Sequence, residues 1–134
     1  MSETLNQSTR QAGVCLHLTS LPGPFGIGDI ADRALSFVDT LVEMGISVWQ
    51  FLPTGPTAYG DSPYQPLSVF AGNELLVGLE PLIRLGLISS AEAAGLDGLP
   101  SAHVAYESVI PKKMAVLSAA AERFSSQSPS TGKI

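Results

Sequence analysis

Two short apolar runs, separated by an amphipathic segment, dominate the first half of the chain. The runs occupy residues 14–18 and 47–52, and Gly- or Pro-rich sequence follows each of them. Neither run alternates cleanly between apolar and polar residues, which is typical of parallel strands covered on both faces. The segment between them, "GDIADRALSFVDTLVEMG", repeats apolar side chains at helical spacing. The pattern therefore predicts a βαβ unit with parallel strands and a right-handed crossover.

The predicted helix carries signals at both of its ends. Asp29 is expected to cap the first turn, and Asp32 adds negative charge where the helix dipole favours it. Gly45 suits the left-handed residue that ends a helix. The face expected to be buried consists of Ile30, Ala34, Phe37, Val38 and Leu41.

The second half of the chain predicts further helices with weaker signals. Residues 75–88 are mostly apolar and are compatible with a short strand that passes into a helix. Ser89 or Ser90, followed by Glu92, predicts a short capped helix. Pro111 is expected in the first turn of a last helix. The face of that helix expected to pack against the protein core consists of Met114, Leu117, Ala121 and Phe124.

Composition narrows the classes of partner and chemistry. The chain has 134 residues, 45% of them hydrophobic, which is enough for one packed domain. Its formal charge is −5 and no basic cluster exceeds Lys112–Lys113, so a nucleic acid is not an expected partner. No apolar stretch approaches the roughly 18 residues that span a bilayer, so we expect no membrane association and a soluble, cytoplasmic protein. Cys15 is the single cysteine, which excludes an internal disulfide and a thiolate metal site, and we expect it to be a buried thiol.

Polar and aromatic side chains follow directly after the second apolar run. They are Tyr59, Asp61, Ser62, Tyr64 and Gln65. Loops that follow parallel strands leave from the same edge of a sheet, where α/β enzymes place their sites. Aromatic faces with carboxylate, hydroxyl and amide groups suit a sugar. The alternative is a rigid Pro-Gly loop whose Asp and Ser satisfy their own turns, and composition alone favours it.

Two further residues of the predicted strands have alternative interpretations. His17, at the end of the first run, is either a site residue or a core histidine with a satisfied hydrogen bond, and its position alone favours the core. Trp49 is expected to pack in the core rather than to serve as a platform for a ligand.

Three segments resemble a known family. "HLTSLPGPFGIGD", "WQFLPTGPTAYGDSPYQPLSVFAGN" and "YESVIP" resemble the N-terminal part of the 4-α-glucanotransferases, the amylomaltases or disproportionating enzymes of glycoside hydrolase family seventy-seven. The resemblance covers roughly residues 10–124, and Leu18 departs from the proline that members usually carry after the histidine. It implies an α/β fold, the N-terminal part of an incomplete (β/α)8 TIM barrel. It also implies transfer of α-1,4-glucan segments between malto-oligosaccharides by a retaining double displacement, in starch, maltodextrin or glycogen metabolism.

The resemblance also implies roles for the candidate residues. The loop lines the donor side of the glucan cleft, where Tyr59 stacks near the cleaved sugar. Asp61, Ser62, Tyr64 and Gln65 match the same motif, and together with His17 they are expected to bind substrate. No metal and no cofactor is implied, because glycosyl transfer by paired carboxylates needs neither.

The catalytic carboxylates of the family come from later strands, and none of their motifs occurs in this sequence. We therefore expect an N-terminal fragment, inactive alone, whose partners are an α-1,4-glucan and the C-terminal part of the enzyme. The alternatives are a non-catalytic α-glucan-binding module and an unrelated small α/β domain. The expected organisation is a disordered tail at 1–9, the first βα units at 10–80, a helical segment at 81–124 and a disordered tail at 125–134.

Overall fold

The fold of the chain is α/β. A computed structural model describes residues 10–57, 62, 64, 68 and 70–127. Within these ranges the strands are β1 (Gly13–Cys15) and β2 (Val48–Gln50), and the helices are α1 (Asp32–Glu43), α2 (Leu79–Arg84), α3 (Ser90–Ala93) and α4 (Tyr106–Gln127). Single 3-10 turns occupy Leu18–Ser20, Glu74–Leu76 and Ala94–Leu96.

The two strands form a parallel pair joined through α1. Val14 lies opposite Trp49, and the Leu16 N–H continues the ladder by donating to the Gln50 carbonyl at 2.9 Å. The predicted strand–helix–strand order and parallel pairing are confirmed. The first strand is shorter than predicted, because the chain turns into the 3-10 segment at Leu18.

The predicted burial of the first strand is only partly correct. Val14 is half-buried, whereas Gly13 and Cys15 are exposed. The expectation of a buried Cys15 thiol is therefore wrong. Successive strand residues point to opposite faces, and the described part of the chain covers only one face at this position.

Helix α1 buries a narrower stripe than predicted. Ala34 and Leu41 are buried, and Phe37 packs with its ring centroid 5.0 Å from that of Trp49. Ile30 and Val38, at the margins of the predicted stripe, are 62% and 41% exposed. Trp49 is half-buried and packs in the hydrophobic cluster that contains Ala34 and Phe37, as expected for a packing residue.

The end signals of α1 are confirmed in part. Gly45 has a φ of 70°, and Asp32 lies in the first turn. The predicted Asp29 cap is wrong, because Ala31 occupies the N-cap position and no side chain caps the helix. Asp29 is instead buried, and its carboxylate accepts a hydrogen bond from Lys113.

The helices of the second half meet the expectations unevenly. Ser89 caps α3, and a reciprocal bond from its backbone to Glu92 completes the predicted capping box. Residues 75–88 contain α2, with strand-like pairing limited to a bridge between Ile30 and Val77.

Helix α4 begins earlier than predicted and turns a different face to the core. Because Ser108 and Val109 both donate to the Ala105 carbonyl, the helix starts at Tyr106 and Pro111 lies inside it rather than in its first turn. The buried positions are Val109, Lys113 and Ala120. The expected stripe is wrong at its end, since Ala121 and Phe124 are exposed and Met114 and Leu117 are half-buried. Disorder from residue 125 is also wrong for 125–127, which are helical, and 1–9 and 128–134 lie outside the described residues.

Along the described ranges, no helix combines the length and apolar character needed to cross a membrane.

Candidate active-site edge

A hollow of about 210 Å³ opens where the two strands end. Its lining residues are His17, Thr19, Ser20, Leu52, Thr57, Asn73 and Tyr106. We call it the His17 hollow. Residues that follow β1 in the chain and residues that follow β2 both line it, as expected for loops that leave one edge of a parallel sheet.

Backbone hydrogen bonds fix the walls of the His17 hollow. His17 is extended and leads directly into the 3-10 turn that carries Thr19 and Ser20. Across the hollow, the Asn73 N–H donates to the Thr54 carbonyl at 2.9 Å, and the Asn73 Oδ1 accepts from the Leu75 N–H at 2.9 Å. Because its oxygen is engaged, Asn73 offers its amide NH2 group to a ligand.

His17 carries a ring nitrogen that is left without a hydrogen-bond partner in the part of the chain that the structure describes. Its Nδ1 is buried and has no hydrogen-bond partner among the described residues. Burial lowers the pKa of His17, which favours the neutral form of the imidazole. A neutral imidazole presents one donor and one acceptor, and an unpaired buried nitrogen costs free energy until a partner is found.

The predicted loop residues are only partly described. Ser62 is half-buried and Tyr64 is 71% exposed. Tyr59, Asp61 and Gln65 lie outside the described residues. The role of all five in binding substrate stays a prediction.

Of the lining residues of the hollow, the sequence predicted only His17 as a site residue and missed six, namely Thr19, Ser20, Leu52, Thr57, Asn73 and Tyr106. Asn73 and Tyr106 end and begin two of the quoted motifs, and an Asn ahead of an apolar segment is also a cap signal. Their positions at the ends of these motifs were the sequence signal that could have identified them as candidate site residues.

A buried ion pair, which the sequence did not predict, joins α4 to the loop before α1. Lys113 Nζ donates to Asp29 Oδ2 at 2.9 Å, and the two side chains are 0% and 7% exposed. Burial raises the pKa of Asp29 and lowers the pKa of Lys113, and their mutual attraction opposes both shifts. The charge of Glu80 also acts on both groups, and its buried Oε2 has no partner in the described part of the chain.

The described lining of the hollow consists mainly of groups that can form hydrogen bonds. Hydroxyl, amide, phenol and imidazole groups line it, and no Asp or Glu does so among the residues that the structure describes. Within the same ranges, no three His, Cys, Asp or Glu side chains gather in a way that would hold a metal ion. The hollow can therefore hydrogen-bond a polyhydroxylated ligand, and its described lining contributes no carboxyl pair.

Comparison with known proteins identifies the family. The family model described as 4-alpha-glucanotransferase matches residues 16–133. A 4-alpha-glucanotransferase of Streptococcus pneumoniae is 42% identical over 116 residues, which are 86% of this chain and 23% of that protein. A 4-alpha-glucanotransferase of Thermus thermophilus is 46% identical over 97 residues, covering 72% of this chain and 19% of the relative.

A solved structure agrees with these relatives. The amylomaltase from Streptococcus agalactiae in complex with acarbose superimposes with a TM-score of 0.83 at 38% identity, over 89% of this chain and 24% of that chain. The present chain thus spans about a quarter of the length of the proteins it matches. The small parallel sheet and its crossover helix are part of a TIM barrel. The chain belongs to the 4-alpha-glucanotransferase family.

Proposed function

We propose that the chain is part of a 4-α-glucanotransferase, an enzyme that moves α-1,4-glucan segments between malto-oligosaccharides by a retaining double displacement. The observation that carries the proposal is the His17 hollow at the carboxyl edge of two parallel strands, the edge at which TIM barrels bind their substrates. Membership of the 4-alpha-glucanotransferase family supports it. The amylomaltase neighbour was solved with acarbose.

The polar residues of the hollow have complementary roles in this proposal. His17, a lining residue of the hollow, exchanges one hydrogen bond with a sugar hydroxyl through its imidazole ring. The Asn73 amide donates a second, since its oxygen is already bonded to Leu75. Tyr64 does not line the hollow but is 71% exposed, so its ring is accessible to a pyranose face. Tyr59, Asp61, Ser62 and Gln65 are proposed to complete the substrate-binding loop.

This segment is proposed to bind glucan without performing the bond cleavage. A retaining glycosidase-type mechanism needs a nucleophilic carboxylate and an acid/base carboxyl group about 5 to 5.5 Å apart. The described lining of the hollow supplies neither. The remaining three-quarters of the length of the relatives is the proposed source of both, so the C-terminal part of such an enzyme is the expected partner.

No cofactor and no metal takes part in this proposal. The proposed location is the cytoplasm, although the relative from Arabidopsis thaliana is named as chloroplastic or amyloplastic.

A segment exchange tests the proposal. Residues 16–127 of this chain would replace the matching segment of the Streptococcus agalactiae amylomaltase, and glucose release from maltotriose would be measured. The matched control exchanges the corresponding segment of the Streptococcus pneumoniae relative. We expect both chimeras to disproportionate maltotriose and this chain alone to release no glucose above a heat-killed sample.

An inactive chimera beside an active control would overturn the assignment to this enzyme. If the inactive chimera still bound maltoheptaose, the result would favour a non-catalytic α-glucan-binding module instead.

A further inference from the structure

Helix α4 carries three inward-facing residues that link the His17 hollow to the buried ion pair. Tyr106, Val109 and Lys113 follow one another at steps of three and four, so they share one face of the helix. Tyr106 lines the hollow, and Lys113 lies about 10 Å further along the axis at 1.5 Å per residue. Val109, between them, is 0% exposed and packs with Ile27. The position of this face decides where Tyr106 stands.

The loop that holds Asp29 is hydrogen-bonded to Thr19, another lining residue of the hollow. The N–H of Gly28, next to Asp29, donates to the Thr19 carbonyl at 3.2 Å. Gly28 packs so closely on the backbone of Leu18 and Leu21 that a Cβ there would overlap both carbonyl oxygens. A shift of Asp29 would therefore move Thr19, a wall residue of the hollow.

Lys113 balances more than one negative charge. Asp29 accepts its hydrogen bond, and the charges of Glu80 and Asp32 also act on the Asp29 carboxyl. Asp32 is exposed and bonded to Arg84, but Glu80 has a buried oxygen without a partner among the described residues. If Lys113 lost its charge, the Asp29 carboxylate would remain in a poorly solvated space while the negative charge of Glu80 acts on it, and like charges there repel strongly.

From this arrangement we propose that Lys113 is a positioning residue: by holding Asp29, it sets the spacing between Tyr106 and Thr19 across the His17 hollow and thereby its affinity for glucan. The proposal rests on the proposed glucan-binding function of the hollow. Lys113 does not line the hollow, so its effect on a sugar is transmitted through α4 and through the loop before α1.

The test compares two variants of one helix. Lys113→Met removes the buried cation, and Arg123→Met removes the ion pair that links α4 to Glu92 at 2.6 Å, away from the hollow. Binding of maltoheptaose to the full 134-residue chain would be followed by NMR titration, well below the unfolding temperature of each variant. We expect Lys113→Met to raise Kd at least tenfold and Arg123→Met to change it less than twofold.

A rescue separates positioning from a general loss of stability. In the double variant Lys113→Met with Asp29→Asn, a neutral amide removes the buried negative charge but no bond from position 113 holds the loop before α1, so we expect stability to recover in part while Kd stays raised. The single variant Asp29→Asn keeps the side-chain volume, and it serves as the second probe if Lys113→Met does not fold. The amide still accepts a bond from Lys113, so we expect a rise in Kd smaller than that of Lys113→Met.

NMR signals measured without ligand test the positioning role of Lys113 independently of glucan binding. The imidazole ¹⁵N shifts of His17 and the ring signals of Tyr106 should move in Lys113→Met and stay in place in Arg123→Met. Unchanged signals together with unchanged Kd would overturn the proposal. A wild-type chain that binds no maltoheptaose would contradict the proposed function, while the ligand-free shifts would still decide whether Lys113 holds the hollow.

Discussion

Removing the buried cation of the Lys113–Asp29 pair should be among the more damaging single changes in this chain. The Lys113 side chain is 0% exposed and the Asp29 side chain 7%, so a lone Asp29 carboxylate could not recover its hydration. Breaking a buried pair from one side typically costs about 3 to 5 kcal/mol of unfolding free energy. Since Glu80 adds a second carboxyl group nearby, we expect Lys113→Met to fall in the upper part of that range.

Asp29→Asn should lower the free energy of unfolding less than Lys113→Met does. In Asp29→Asn the ammonium group keeps an amide oxygen as acceptor and the charge of Glu80 beside it. Replacing both partners by apolar groups, as in Lys113→Met with Asp29→Leu, should restore stability to within about 1 kcal/mol of the wild type, because buried pairs often contribute little beyond their own desolvation cost. The effects of the two sites should therefore be strongly non-additive.

Urea unfolding, followed by tryptophan fluorescence, provides the measurement, with m compared across variants to confirm one common transition. Arg84→Met is the matched control, because its ion pair with Asp32 is 58% and 50% exposed and should leave the midpoint nearly unchanged. Additive losses in the double variant, or a Lys113→Met variant as stable as the Arg84→Met control, would refute the account of the pair.

Three further predictions concern other parts of the chain. Gly28→Ala should lower stability by about 3 kcal/mol through overlap with fixed backbone oxygens, whereas Gly72→Ala meets open space and should be nearly neutral in the same urea titration. Hydrogen bonds from Arg123 and Ser89 hold the pKa of Glu92 at about 2 instead of 4.5, so the stability they provide is present above pH 4.5 and is lost as pH falls toward 2; urea midpoints in Glu92→Gln should lack this part of the acid dependence. The exposed Cys15 thiol should react with a thiol reagent in native buffer as fast as in urea, and strong protection would contradict its placement.

Local signals in the sequence predicted the local features of the fold. Gly45 and the capping box of Ser89 with Glu92 depend on neighbours within a few residues, and both are confirmed. The parallel pairing of the strands followed from two apolar runs around a helix. The caps are encoded within one or two turns of chain, so capping rules predict them, whereas the pairing follows from the rule that a strand–helix–strand connection joins parallel strands.

Features set by distant partners were not accessible in this way. Asp29 was assigned to a cap, but its partner Lys113 lies 84 positions further along the chain, and no spacing rule connects the two. The presence of Asn73 and Tyr106 in the His17 hollow could not be predicted for the same reason, since each comes from a different part of the sequence. The exposure of Cys15 depends on what covers one face of the strand, which alternation alone does not specify.

The environment of Trp49 has a consequence for how folding of this chain can be observed. It is the one tryptophan of the sequence. Its Nε1 donates to the carbonyl of Leu16, 33 residues earlier in the chain, at 2.8 Å. Its indole ring packs edge to face with Phe37 and Phe51. Its emission therefore reports closure of the crossover, a non-local event. Far-ultraviolet circular dichroism is instead dominated by the 22-residue helix α4, whose bonds are local. Helix formation is a microsecond process, whereas non-local strand pairing must first overcome loop-closure entropy. In stopped-flow mixing, early helix formation would therefore appear as a burst-phase amplitude in circular dichroism that the tryptophan signal lacks. Identical rate constants without a burst phase would indicate that helix and sheet form in a single cooperative step.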